Sequence, residues 1–143
     1  IDPPAVAVPK LIELASLNGR FTTGDRQRLD KVIEKIPSLI PEEKPSLLHG
    51  DLWAGNILSD LTGAPVVIDP AIYFGNREVD LAMTFLFGGF DHDYLRAYEH
   101  HFPLIPGLSN RIPLYNLYPL LVHLNLFGGG YSEQISSIVR QYV

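Results

Sequence analysis

Two stretches decide how this sequence is interpreted: HGDLWAGN at residues 49–56 and IDPA at residues 68–71. They place three polar residues, Asp51, Asn56 and Asp69, next to apolar runs with the length and composition of short β-strands. Each of the three therefore falls where a strand is expected to meet a loop. Loops on a rigid scaffold are where catalytic and binding residues are usually found. The two stretches predict a functional site at the ends of a small β element.

The residue types and their spacing are typical of phosphoryl transfer. Two carboxylates and an amide supply hard oxygen ligands suited to Mg²⁺, and one carboxylate remains to accept a proton. In protein kinases an Asp positions the attacking hydroxyl, and a later Asn and Asp bind the metal. Asn56 follows Asp51 by five residues and Asp69 follows it by eighteen, in the same order. The alternative is a set of turn and capping residues, although His-Gly-Asp with this Asn arises by chance in about one chain per thousand.

The sequence before these stretches predicts helices. Prolines punctuate residues 1–9, which are expected to form an extended arm, and residues 10–17 are expected to form a short helix. Thr23 is the expected N-cap of a second helix, in which apolar residues recur at helical spacing. Pro37 and Pro41 are expected to end that helix.

The remainder predicts a small β-hairpin followed by more helices. Apolar runs bounded by turn residues predict strands at 46–49, 56–59 and 66–68. Apolar residues at helical spacing predict helices at 77–87, 93–101, 111–127 and 131–142. Pro119 is expected to kink the third of these helices, because it removes a backbone donor. The predicted fold class is α+β, mostly α-helical, with a hairpin that carries the catalytic and metal-binding loops.

Length and composition predict one compact domain and exclude several classes of function. The chain has 143 residues and a net charge of −5, with 16 acidic against 11 basic residues, which argues against a nucleic-acid-binding surface. It has no cysteine, which excludes disulfides, thiolate metal sites and cysteine nucleophiles. No apolar run approaches the roughly 20 residues of a membrane span, and residues 1–10 lack the features of a secretion signal. We therefore expect a cytoplasmic protein with neither a nucleic-acid nor a membrane partner.

Longer stretches around the same residues resemble one kinase family. They are LLHGDLWAGNIL at 47–58, VVIDPAIYFGNREVDLAMTFLFGGF at 66–90 and RIPLYNLYPLLVHLNLFGGGY at 111–131. They are similar to the C-terminal lobe of the fructosamine kinase (ketosamine-3-kinase) family, a branch of the aminoglycoside phosphotransferase and choline kinase-like superfamily. The His-Gly-Asp pattern marks only the superfamily, whereas Trp53, the DPAIYFGNRE run and the closing LFGGGY narrow the resemblance. The resemblance implies that residues 1–143 form the C-terminal lobe of a protein-kinase-like fold.

The resemblance also implies a role for each residue of the site. Asp51 would be the catalytic base, or the carboxylate that orients the hydroxyl, and Asn56 and Asp69 would hold Mg²⁺ against the ATP phosphates. His49 would tie the catalytic loop to its neighbours. Asp80 would brace the backbone of that loop, and the alternative is a simple acid on a helix surface.

Three further residues are candidates for substrate binding. Trp53 could stack on a sugar ring, because an indole face offers apolar area to the C–H face of a carbohydrate, or it could pack under the catalytic loop. Arg77 could contact phosphate, or pair with Glu78 or Asp80. His123 could reach the acceptor pocket, and the alternative is a hydrogen-bonded core histidine.

The function implied is that of a kinase dependent on ATP and Mg²⁺ that phosphorylates a sugar hydroxyl of ketosamines. Ketosamines are glycated amines, free or on protein, and fructosamine and ribulosamine adducts are both candidate acceptors. An alternative with the same fold is a phosphotransferase for an aminoglycoside, choline or another small hydroxyl acceptor. An alternative of a different class is a non-catalytic kinase-like binding module.

The lysines of the chain bear on how much of such an enzyme is present. Family members have an N-terminal lobe in which a strand lysine contacts the ATP phosphates. The four lysines here fall in predicted helices or in the proline-rich linker; they are Lys10, Lys31, Lys35 and Lys44. We therefore expect a C-terminal lobe fragment without the nucleotide-binding lobe, inactive by itself. Its exposed apolar surface would favour a homo-oligomer.

Overall fold

The computed structural model describes residues 3–143, which form helices and short strands. In chain order the elements are α1 (Pro3–Leu17), α2 (Thr23–Leu39), β1 (Ser46–Leu48), a 3₁₀ turn (Ala54–Asn56), β2 (Ile57–Ser59), β3 (Pro65–Val67), β4 (Tyr73–Gly75), α3 (Glu78–Leu86), α4 (His92–His101), α5 (Leu108–Tyr115), α6 (Leu117–Phe127) and α7 (Tyr131–Val139). The predicted mixture of helices with a small β element is confirmed. The helices predicted at 77–87, 93–101 and 131–142 are confirmed as α3, α4 and α7.

The chain divides into two compact units. The first unit comprises residues 3–42 together with 116–143, and the second unit comprises residues 43–115. The second unit carries β1 to β4 and both sequence stretches that predict the functional site.

The core of the first unit is built around α6, which packs against α1 and α7. Its apolar residues recur at a spacing of three or four positions, so they share one face of the helix. Each is at most 1% exposed; they are Leu117, Leu120, Leu121 and Leu124. Asn125 adds a polar tie, since its Nδ2 donates to the carbonyl of Leu11 on α1 at 3.0 Å.

The proline-rich start is helical, so the prediction of an extended arm at residues 1–9 is wrong for the part that the structure describes. The helix α1 begins at Pro3, and proline is tolerated there because the first N–H groups of a helix have no partner within it. Pro9 lies deeper in α1 and costs roughly 3 kcal/mol. Val8 and Ile12 are buried and each contributes about 1.5–3 kcal/mol, which offsets that cost.

The N-cap of α2 is Thr22, one residue before the predicted Thr23. Oγ1 of Thr22 accepts a hydrogen bond from the amide of Asp25 at 3.2 Å, and the Asp25 carboxylate accepts one from the amide of Thr22 at 3.2 Å. This reciprocal pair is a capping box, which satisfies two donors that the helix itself leaves free. Hydrogen bonding to Thr22 also lowers the pKa of Asp25.

Two other prolines act differently from the predictions. Pro37 does not end α2, because beyond it the amide of Ile40 donates to the carbonyl four residues back at 3.0 Å and closes a last turn. The single kinked helix predicted at 111–127 is two helices, α5 and α6, with Asn116 between them. Pro119 lies in the first turn of α6, where its missing N–H leaves no helical hydrogen bond unmade.

The strands form two antiparallel pairs, where a single hairpin is predicted. β2 and β3 form the predicted hairpin, with Ile57 opposite Val67, and β1 pairs with β4, with Leu48 opposite Tyr73. The chain therefore crosses from one pair to the other twice, at residues 49–56 and again at residues 68–72. Because both crossings join the same ends of the two pairs, the loop with Asp51 and Asn56 lies beside the loop with Asp69.

We find no helix in the part of the chain from residue 3 to residue 143 that is both long enough and apolar enough to cross a membrane.

Candidate active site

Asp80, in the first turn of α3, holds the backbone of the 49–56 loop. The amide of His49 donates to its Oδ2 at 2.7 Å, and the amide of Gly50 donates to its Oδ1 at 2.9 Å. Hydrogen bonds to an ionised carboxylate are shorter and stronger than those between neutral groups. One side chain therefore fixes two successive peptide units immediately before Asp51.

His49 connects the 49–56 loop to the 68–72 loop. Its Nδ1 accepts a hydrogen bond from the amide of Asp51 at 3.3 Å. Because Nδ1 is an acceptor, the proton is assigned to Nε2, which donates to the carbonyl of Ile68 at 2.9 Å. The imidazole thus spans the two loops that carry the predicted base and the predicted metal ligand.

The two loops also meet through their backbones at Gly50. The amide of Ala71 donates to the carbonyl of His49 at 2.8 Å. A Cβ added to Gly50 would lie 2.1 Å from the carbonyl oxygen of Ala71, and Gly50 has a φ of +81°. Only glycine permits both this close approach and this backbone conformation.

Asn56 fixes the carboxylate of Asp51. Its Nδ2 donates at 2.9 Å both to the backbone carbonyl and to Oδ2 of Asp51. Asn56 is only 7% exposed, and its backbone carbonyl accepts a hydrogen bond from the amide of Ile68 at 2.9 Å. The Asp51 side chain is therefore held in one orientation by a buried neighbour that is itself tied to the second loop.

Asp69 lies between two points at which its loop is bonded to the 49–56 loop, namely Ile68 and Ala71. It is exposed, and it is the only non-glycine residue with positive φ (51°) among residues 3–143. Asp tolerates this left-handed conformation better than most residues, and such conformations cluster at functional sites. Within the described part of the chain, no hydrogen bond or ion pair engages the Asp69 carboxylate.

The structure therefore brings together the three residues that the sequence predicts at the site. Among residues 3–143, no group of three or more His, Cys, Asp or Glu side chains is placed to hold a metal. The predicted Mg²⁺ ligands are a smaller and mixed set, the amide of Asn56 and the carboxylate of Asp69.

Comparison with known proteins identifies the family. The fructosamine kinase family profile matches residues 10–143. The chain belongs to the fructosamine kinase family. It is 58% identical over 99 residues to a Lactiplantibacillus plantarum protein named "Probable ketoamine kinase", covering 69% of this chain and 35% of that protein. It is 41% identical to the mouse protein named "Ketosamine-3-kinase", covering 82% of this chain and 40% of that protein.

The fold agrees with a crystal structure from the same family. A proposed fructosamine-3-kinase from Thermobifida fusca superposes with a TM-score of 0.84 at 42% identity, covering 92% of this chain and 46% of that chain. The chain thus spans less than half the length of these relatives.

In this member of the fructosamine kinase family, Trp53 lies at the edge of the site and is 38% exposed. Its ring lies over Gly55, where an added Cβ would come within 2.1 Å of Cη2 of the indole. Its ring also lies near that of Phe87, at 6.0 Å between ring centroids. The indole is thus partly packed and partly open, and stacking on a sugar stays a prediction.

Arg77 pairs with Glu43, whereas Glu78 and Asp80 are the predicted partners. Its Nη2 and Nε donate to the Glu43 carboxylate at 2.8 and 3.2 Å. Nη2 also donates to the carbonyl of Pro103 at 2.7 Å, and Nη1 donates to that of Phe102 at 3.3 Å. Hydrogen bonding to Glu43 raises the pKa of Arg77 further. All three nitrogens thus donate within the second unit, which favours a structural role over contact with phosphate.

His123, the third predicted substrate residue, belongs to the first unit. Its Nδ1 is hydrogen-bonded to the carbonyl of Pro119 at 2.7 Å, one turn back along α6. Its ring lies 5.6 Å from that of Phe127 and 5.4 Å from that of Tyr131, between centroids. These contacts are those of a packed, hydrogen-bonded histidine.

A buried ion pair supports α3 and was not foreseen from the sequence of this fructosamine kinase family member. Glu78 is 0% exposed, and its two carboxylate oxygens accept from Nη2 and Nε of Arg111 at 2.6 and 2.7 Å. The hydroxyl of Tyr115 donates to the same carboxylate at 3.0 Å. Burial raises the pKa of Tyr115, and hydrogen bonding to Glu78 raises that of Arg111. The sequence does carry a signal for this pair: Glu78 and Arg111 have opposite charges, and each lies next to apolar helical residues that predict burial.

Tyr94, on α4, is half-buried and interacts electrostatically with Asp80. Burial raises its pKa to about 12, with smaller contributions from Tyr98 and from the Asp80 carboxylate. Tyr94 therefore stays protonated and neutral at physiological pH.

Proposed function

We propose that this chain supplies the catalytic and Mg²⁺-binding loops of an ATP-dependent kinase that phosphorylates a sugar hydroxyl of a ketosamine. The observation that carries the proposal is the pairing of the two loops. It places Asp51, held by Asn56 at 2.9 Å, beside the loop of Asp69, whose carboxylate is unengaged within the described residues. Membership of the fructosamine kinase family and the name of the mouse relative support the ketosamine as acceptor.

Asp51 orients the acceptor hydroxyl and accepts its proton. As the hydroxyl oxygen bonds to the γ-phosphorus, the bond from that phosphorus to the bridging β-phosphate oxygen breaks and ADP leaves. The proton of the hydroxyl passes to the Asp51 carboxylate. Asn56 keeps this carboxylate in one orientation through its hydrogen bond at 2.9 Å, so little alignment is left to be achieved in the transition state.

The donor set fits Mg²⁺ by its chemistry. Nδ2 of Asn56 is directed at Asp51, so Oδ1 is its remaining ligand atom, and the Asp69 carboxylate supplies a second hard oxygen. Asn56 and Asp69 would hold Mg²⁺ there, and the chemistry it would supply is neutralisation of negative charge on the phosphates. His49 contributes by holding the two loops together through its bond to the carbonyl of Ile68, and Asp80 contributes by fixing the backbone of the 49–56 loop to α3.

The test is an acceptor panel with the complete gene product that contains this chain. Fructosyl-lysine and ribulosyl-lysine would be compared with an aminoglycoside and choline, with ADP release as the measurement. We expect Asp51→Asn to lower kcat on the preferred ketosamine by about 10²- to 10⁴-fold, the range that general-base groups contribute.

The matched control is Asp30→Asn, which removes one charge from an exposed ion pair with Arg26 on α2 and should leave kcat unchanged. A kcat that Asp51→Asn leaves unchanged would contradict the role given to Asp51. Phosphorylation of choline or the aminoglycoside alone would contradict the acceptor class.

A further inference from the structure

The residues that follow α3 form a turn that packs closely against the 49–56 loop. Phe87, Gly88 and Gly89 form this turn, which we call the Phe87 turn. The Phe87 ring meets that of Trp53 edge-on, with 6.0 Å between centroids and 75° between planes. A Cβ added to Gly89, which has a φ of +93°, would lie 2.4 Å from Cβ of Ala54. The turn therefore touches two successive residues of the loop, and glycine at 89 is what allows the second contact.

The indole of Trp53 is held from its own loop as well. The absence of a side chain at Gly55 lets the ring lie over it, as an added Cβ there would fall 2.1 Å from Cη2. The backbone of Trp53 is bonded on both sides, since its amide donates to the carbonyl of Asp51 at 3.1 Å and its carbonyl accepts from the amide of Asn56 at 3.0 Å. The indole is thus fixed between Gly55 and Phe87, two residues along the chain from the proposed base.

We propose that the Phe87 turn is a binding element of the acceptor site, in which Phe87 orients the indole of Trp53 toward the acceptor sugar. This inference rests on the proposed ketosamine kinase function. The indole keeps an exposed area that suits the C–H face of a sugar, and the Phe87 ring packs edge-on against the indole. An indole that is already ordered loses little freedom when an acceptor binds, so the order imposed by Phe87 appears as acceptor affinity. Phe87 acts through Trp53 and is a positioning residue.

The chain offers a matched control for Phe87. Both Phe87 and Phe102 follow the last residue of a helix, α3 and α4 respectively, and they are 45% and 62% exposed. The aromatic partner of Phe102 is Tyr98, at 5.9 Å between centroids, and not Trp53. Substitution of Phe102 therefore removes an exposed ring of the same kind away from the indole.

The kinetic test compares Phe87→Ala, Phe87→Leu and Phe102→Ala in the complete gene product. We expect Phe87→Ala to raise the KM for the ketosamine about 2- to 10-fold, the effect of losing one aromatic pair. The KM for ATP and kcat should stay within about twofold, because the loss is one of acceptor binding. Phe87→Leu keeps bulk without the ring and should give an intermediate KM, whereas Phe102→Ala should change none of these values.

A second measurement needs no turnover. Trp53 is the single tryptophan in the 143 residues, and its signal in the complete gene product is the difference between each variant and the same variant with Trp53→Phe. We expect Phe87→Ala to raise the acrylamide quenching constant of this signal, and Phe102→Ala to leave it unchanged.

The outcomes separate the inference from the function on which it rests. A rise in both quenching and ketosamine KM supports the inference, and no change in either one overturns it. If the enzyme accepts only a different hydroxyl compound, the proposed function fails. The KM for that compound then decides the inference in the same way, because a rise in Phe87→Ala still assigns acceptor binding to the turn.

Discussion

At the scale of single residues, the site depends on Gly50, a position where only glycine fits. Gly50 combines a φ of +81° with a Cβ position only 2.1 Å from a backbone oxygen of the 68–72 loop. Backbone atoms cannot give way as a flexible side chain can. The contact between the loops of Asp51 and Asp69 therefore requires glycine.

Gly50→Ala tests this requirement. We expect it to lower the free energy of unfolding by about 1–3 kcal/mol and to lower kcat, because the loops must separate. The measurements are urea unfolding and ADP release. Gly63→Ala is the control, since Gly63 has a φ of +84° with no atom within 4 Å of the added Cβ. Equal effects of the two substitutions would show that backbone conformation, and not the approach of the loops, accounts for the loss.

At the scale of elements, α3 ties the site together. Arg77, the residue before α3, pairs with Glu43. In the first turn of α3, Glu78 pairs with Arg111 on α5, and Asp80 accepts hydrogen bonds from the 49–56 loop. These three contacts start from residues 77–80, at the beginning of α3. A shift of α3 would therefore move the backbone that carries Asp51.

Arg111→Met tests the buried tie. Removing one partner leaves the Glu78 charge buried without compensation, so we expect a loss of about 3–5 kcal/mol in the free energy of unfolding. Arg26→Met, which breaks an exposed ion pair on α2, should cost less than about 1 kcal/mol. The double variant Glu78→Met/Arg111→Met should recover much of the stability in urea unfolding, because no charge is then buried alone. A double variant as unstable as the single one would contradict this explanation.

At the scale of the whole molecule, the chain spans less than half the length of its relatives and includes both loops of the candidate site. Its four lysines lie on α1, on α2 or just before β1, and none lies on a strand; they are Lys10, Lys31, Lys35 and Lys44. The strand pairs expose apolar side chains, among them Leu47, Leu58 and Phe74. These features favour dependence on further protein surface, through other segments or a second copy.

Residues 1–143 by themselves should therefore turn over little ketosamine and should self-associate. ADP release compared with the complete gene product measures the first, and light scattering over a concentration series measures the second. Turnover close to that of the complete gene product, abolished by Asp51→Asn, would contradict the first expectation. A monomeric mass at all concentrations would contradict the second. The cytoplasmic location stays a prediction.

The sequence by itself determined the mixed α and β character of the chain, and it predicted three residues of the candidate site. Asp51, Asn56 and Asp69 were predicted because the roles proposed for them require particular residue types at short spacings, and helical periodicity identified most helices. The loop between β1 and β2 was predicted for the same reason, since apolar runs flank it directly.

Only the tertiary structure decided which distant groups meet. β4 is three residues long, too short to show an alternating pattern of apolar and polar residues, so only its pairing with β1 defines it. The partners of Arg77 and Glu78 lie 34 and 33 residues away, at Glu43 and Arg111. Local spacing favoured nearer acids for Arg77, but charges pair where folding removes them from water together. That condition depends on packing, which a local pattern does not contain.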